Sequence, residues 1–86
     1  MNIDELRGEI NGIDDQLLSL FERRMEIAGE IGRIKKEKSL PIQDAERERA
    51  LLRRMYAKAK PETAEYVEPL FLSLMEMSRD YQARQD

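Results

Sequence analysis

Ten positions near the start of the chain follow a 3-4-3-4 spacing: Ile3, Leu6, Ile10, Ile13, Leu17, Leu20, Arg24, Ile27, Ile31 and Ile34. A stripe of this kind is one face of an α-helix. It runs unbroken from Asn2, a candidate cap with Glu5 three residues on, to about Lys38, and Pro41 then stops it. A helix of about 36 residues extends about 54 Å, whereas a compact globule of this chain length is about 30 Å across. One chain cannot cover both sides of such a rod.

Nine of the ten seam positions are apolar and the other is Arg24. A guanidinium is costly to bury unless something anionic meets it, so Arg24 asks for a partner. An interhelical ion pair with a glutamate is the simplest one. Lys35, one residue beyond Ile34, can reach the same side of the helix, although alone it reads as a solvated lysine at a helix end. The seam therefore has the character of both an interface and a binding pocket.

The prolines divide the chain into three helical segments, about 3–38, 44–58 and 63–83, and no segment reads as a strand. The expected fold is all-α, in a single domain spanning 1–86. In the second segment Glu48, Leu51, Leu52 and Met55 mark one face, while Arg49, Arg53 and Arg54 make the other side basic. The third begins near Thr63, a candidate cap, and carries Val67, Leu70, Phe71, Leu74, Ser78 and Tyr81. Its stripe turns polar at Ser78 and Gln82, which reads either as a lined pocket or as a polar face near a fraying end. Pro69 is expected to kink this helix unless the helix starts later. The linkers, about 39–43 and 59–62, are short enough for antiparallel packing of consecutive helices. Gly8 and Gly12 each weaken the first helix by roughly 1 kcal/mol relative to alanine, which points to close packing there.

Asp44, Arg47 and Glu48 occupy adjoining positions at the start of the second helix. Acidic residues in a first turn also suit the helix dipole, so capping alone would account for the two carboxylates.

Composition removes several kinds of chemistry. Lys+Arg (15) and Asp+Glu (18) nearly cancel to a net charge of -3, a balance that does not point to nucleic acid. No run approaches a membrane span, and Met-Asn-Ile-Asp lacks the order of a signal peptide, so a cytoplasmic protein without a membrane partner is expected. With no cysteine and no histidine, disulfides, thiolate chemistry, zinc sites of the usual kind and imidazole catalysis are excluded. Catalysis, if any, rests on Arg, Lys, carboxylates and neutral hydrogen bonders.

Taken together, these residues resemble a known family over essentially the whole chain: the all-helical chorismate mutases, which convert chorismate to prephenate. The carriers are Leu6-Arg7 with Ile10, Ile13-Asp14, Leu17-Leu18, Glu22-Arg23-Arg24 with Ile27-Ala28, Ile31-Gly32-Arg33-Ile34-Lys35, Pro41-Ile42-Gln43-Asp44 with Glu46-Arg47-Glu48-Arg49, and Ser78 with Gln82.

The resemblance implies an intertwined homodimer of three-helix chains with two equivalent sites and no cofactor. By the same resemblance, Arg24 holds a substrate carboxylate within its own subunit, and Arg7 crosses into the partner's pocket. Lys35 and Gln82 hydrogen-bond the breaking ether oxygen. Glu48 accepts from the ring hydroxyl, Asp44, Arg47 and Ser78 complete the ring-side and carboxylate contacts, and Ile31 and Met75 line an apolar wall. Two rivals share these features. One is an isochorismate-pyruvate lyase on the same scaffold, and the other is a non-catalytic helical dimer or adaptor whose charged seam residues set register.

Overall fold

The structure, a computed structural model, describes residues 1–86 as three helices and no strand: α1 (Ile3–Glu37), α2 (Ala45–Lys58) and α3 (Ala64–Ala83). At the head of α1 the Asn2 side chain accepts a hydrogen bond from Glu5 N at 2.9 Å. Acidic Asp4 and Glu5 lie in the first turn and basic Lys35 and Lys36 in the last, each complementing the helix dipole. Beyond α1, Ser39 takes φ 54°. Its N–H donates to Lys36 O at 3.2 Å, and Leu40 N donates to Lys35 O at 2.8 Å. This is a Schellman ending with serine where glycine is usual, and Pro41 follows at once.

Asp44 caps α2, its carboxylate accepting from Arg47 N at 3.0 Å. Thr63 occupies the cap position of α3 but makes no side-chain cap bond. Its hydroxyl instead donates to Lys60 O at 3.4 Å, which corrects the capping role expected for it. α3 also starts at Ala64 and runs through Pro69, neither broken there nor beginning later. Pro69 lies in the second turn, where the missing N–H costs only the bond to the Glu65 carbonyl.

The packing follows the expectation from the short linkers for α2 and α3 but not for α1 and α2. α3 packs against both other helices, whereas α1 and α2, although consecutive, do not pack on each other. Arg24 meets Leu74 and Ser78 while Arg33 meets Gln85, so α1 and α3 run parallel. The close approach needs small residues on α1. A Cβ added to Gly32 would stand 2.7 Å from Gln82 Cα, and one added to Gly29 would stand 3.0 Å from Tyr81 Cε2. Gly8 and Gly12 have nothing within 4 Å of such a Cβ, so the close packing expected of them is not found within the chain.

Little of the chain is buried by its own folding. Five of the 86 residues are buried, namely Ala28, Gly29, Gly32, Met75 and Ser78. The molecule measures 54 × 26 × 14 Å with a radius of gyration of 16.0 Å, against about 12 Å for a compact domain of this length. The apolar seam of α1 stands open along its length, with Ile10 54% and Leu20 63% exposed. No helix is long and apolar enough to cross a membrane.

Candidate active site

A cleft of about 350 Å³ opens where the second half of α1, the start of α2 and the second half of α3 converge. Periodicity on α1 brings Arg24, Ile31 and Lys35 to it, and α3 contributes Met75, Ser78 and Gln82. Asp44, Arg47 and Glu48 reach it from the first turn of α2. Of the eight polar residues singled out from the sequence, the cleft therefore gathers all but Arg7. Arg7 is exposed and lies 17 positions before Arg24 on the same helix, about 25 Å away along the axis.

The hydrogen bonds of the cleft leave Arg24 and Lys35 without anions. Arg24 donates to Ser78 Oγ and, at 3.5 Å, to Leu74 O. Lys35 Nζ donates to Gln82 Oε1 at 3.0 Å and to Ile42 O at 2.7 Å. All four partners are neutral oxygens. The ion pairs of the chain are Arg79–Glu48 and the exposed Arg84–Asp80, so Arg24 has no glutamate partner of the kind its place in the seam invited. Half-buried, unmatched positive charge facing a cleft is a setting for an anionic ligand.

Local folding explains how Lys35 is aimed. The Schellman turn carries residues 38–44 back over the end of α1, which brings the Ile42 carbonyl onto the ammonium. Gln82 is fixed from the other side, because its amide oxygen faces Lys35 and its backbone lies on Gly32. With the oxygen so engaged, the amide N–H₂ is the group left to donate to a ligand.

The chorismate mutase type II family matches residues 6–83. The chain belongs to that family. It is similar to chorismate mutase (form II) of Thermus thermophilus, with 33% identity, a TM-score of 0.91 and coverage of 98% of this chain and 97% of that one. It is 39% identical over 75 residues to the bifunctional chorismate mutase/prephenate dehydratase of Escherichia coli K12, covering 85% of this chain and 19% of that protein. The T-protein of Haemophilus influenzae is 35% identical over 78 residues, covering 88% of this chain and 21% of that protein. The chain thus spans about a fifth of the length of these curated relatives.

One cleft residue of this chorismate mutase family chain escaped the sequence reading. Arg79 on α3 donates through Nη1 to both Glu48 oxygens, at 2.7 and 2.6 Å. Its signal was present, since Arg79 follows Met75 by four residues and precedes Gln82 by three. The apolar stripe of α3 drew attention to Leu74, Ser78 and Tyr81 instead, and Arg79 stood between them as one more surface charge.

Proposed function

We propose that this chain is a chorismate mutase, acting in aromatic amino-acid biosynthesis to rearrange chorismate to prephenate. The observation that carries the reading is that Arg24 and Lys35 face one cleft with no carboxylate partner. A substrate with two carboxylates supplies what they lack.

The reaction breaks a C–O bond while forming a C–C bond within one molecule, with no obligatory proton transfer. A chain without histidine or cysteine loses nothing by this. Its task is to fold the enolpyruvyl arm over the ring and to stabilise negative charge developing on the ether oxygen. Arg24 binds a substrate carboxylate by charge-assisted hydrogen bonds, with Ser78 holding the guanidinium. Lys35 and the Gln82 amide donate to the ether oxygen, and each such donor is worth roughly 3–4 kcal/mol by analogy with an oxyanion hole. Glu48 accepts from the ring hydroxyl, Asp44 and Arg47 complete the ring side, and Ile31 and Met75 form the apolar wall.

The active unit is an intertwined homodimer in which 1–86 act as one domain and Arg7 enters the partner's cleft to bind the second carboxylate. Three facts support this: the open seam of α1, the five buried residues and the position of Arg7 far from its own cleft. A cytoplasmic location accompanies the biosynthetic role.

An assay with purified protein tests the reading. Prephenate formed from chorismate is the expected result. Inactivity with chorismate would point to an adaptor, and release of pyruvate from isochorismate alone would point to a lyase.

A further inference from the structure

Glu48 is the one cleft carboxylate engaged by a cation, and the cation is Arg79 from the facing helix. The contact has an uncommon form, in that a single nitrogen, Nη1, reaches both oxygens. An ionised carboxylate offers about four acceptor sites, so two such bonds leave Glu48 able to accept from a ligand. Both side chains are partly exposed, 31% for Arg79 and 21% for Glu48. Glu48 has three side-chain torsions and shares the cleft with Arg24, Lys35 and Arg47. Released from Arg79, its carboxylate is free to leave the orientation that this contact fixes. That would remove the acceptor from the ring side.

We propose that Arg79 is a positioning residue for Glu48: it fixes the carboxylate as the acceptor for the substrate's ring hydroxyl. This rests on the chorismate mutase reading above. In this role Arg79 acts through Glu48 and touches no reacting atom. Its effect falls on selectivity for the ring hydroxyl, because a site built to accept from a hydroxyl discriminates strongly against an analogue without one.

Steady-state kinetics of wild type, Arg79→Met, Arg79→Lys, Glu48→Gln and the double variant Arg79→Met/Glu48→Gln test the proposal, with chorismate and with its analogue lacking the ring hydroxyl. Arg79→Met is expected to lower kcat/KM for chorismate about tenfold to a hundredfold and to leave the analogue nearly unaffected, so that discrimination collapses. Arg79→Lys should recover much of the loss, since one ammonium can serve both oxygens as Nη1 does. In the Glu48→Gln background, Arg79→Met should cost less than about threefold more, the signature of residues acting as a unit. Equal losses for chorismate and analogue, or full additivity with Glu48→Gln, would overturn the proposal, as would an unchanged Arg79→Met. Should Arg79→Met fail to fold, Arg79→Gln removes the charge while keeping a neutral donor, and a smaller loss in the same direction, again confined to chorismate, is expected of it. A wild type inactive with chorismate would overturn the functional reading and this inference with it, whereas an active wild type with insensitive Arg79 variants would overturn this inference alone.

Discussion

Gly32 and Gln82 are in backbone contact: a Cβ on Gly32 would stand 2.7 Å from both the Cα and the carbonyl oxygen of Gln82. The crossing of α1 and α3 is therefore set at the residue whose amide faces Lys35. Backbone cannot yield as a flexible side chain does, so the helices must separate if this glycine acquires a side chain. Gly32→Ala should cost about 1–3 kcal/mol of stability, as overpacking does. It should also lower kcat by carrying Gln82 away from Lys35. Gly8→Ala is the contrast, since its Cβ meets nothing within 4 Å in the chain and should stabilise α1 by about 0.5–1 kcal/mol. Denaturant midpoints of the two variants moving in the same direction would contradict this account.

The open seam of α1 predicts that folding and assembly are one process. Thermal midpoints should rise with protein concentration, as for obligate dimers. Ile13→Lys, at a seam position 53% exposed in the single chain, should abolish folded protein rather than yield a stable monomer. Sedimentation of a compact, active wild-type monomer at low micromolar concentration would defeat the prediction.

Arg7 allows a test of sites shared between subunits. Arg7→Ala and Arg24→Ala should each be nearly inactive as homodimers. Mixed and allowed to exchange, they form heterodimers in which the cleft of the Arg7→Ala subunit receives Arg7 from the other chain. Recovered activity is expected, and none after verified exchange would exclude a role for Arg7 across the interface.

Lys35→Ala should leave the helices intact and lower kcat by about 10²–10³-fold, the scale of losing one donor to a developing oxyanion. KM should change far less, because the ammonium is used mainly as charge grows on the ether oxygen. Circular dichroism alongside turnover separates this from unfolding, and a loss confined to KM would reassign Lys35 to ground-state binding.

Gln82→Glu separates electrostatic stabilisation from proton transfer. The amide of Gln82 does not titrate, so the wild type should hold its activity across neutral pH. A carboxyl in its place donates only when protonated, and a carboxylic acid of ordinary pKa, about 4.3, is protonated only in acid. Activity of the variant should therefore be low at neutral pH and climb as pH falls. A profile matching the wild type from neutral to acid pH would show that Gln82 does not contact the breaking bond.

Periodicity and punctuation alone carried the helices. The 3-4-3-4 stripe, Asn2, Pro41 and Asp44 place α1 and the start of α2 within a residue or two, because these signals act within one turn of their own helix. The same local logic flagged Arg24, Lys35, Asp44, Arg47, Glu48, Ser78 and Gln82 but left plainer readings open for them; the family resemblance joined them into one site, and all reach one cleft. Partnership between helices lay beyond it. A helical stripe tells which way a residue faces, but not which residue of another helix it meets, since that depends on how closely two backbones approach and in what register. Gly29 and Gly32 permit the approach of α3 to α1, and they carry no side chain whose pattern could announce it. The choice of α3 over α2 as the neighbour of α1, the neutral oxygens around Arg24 and the capture of Glu48 by Arg79 all follow from that crossing. The cleft's unpaired positive charge is thus a property of the folded arrangement, although every residue that bears it was visible in the chain.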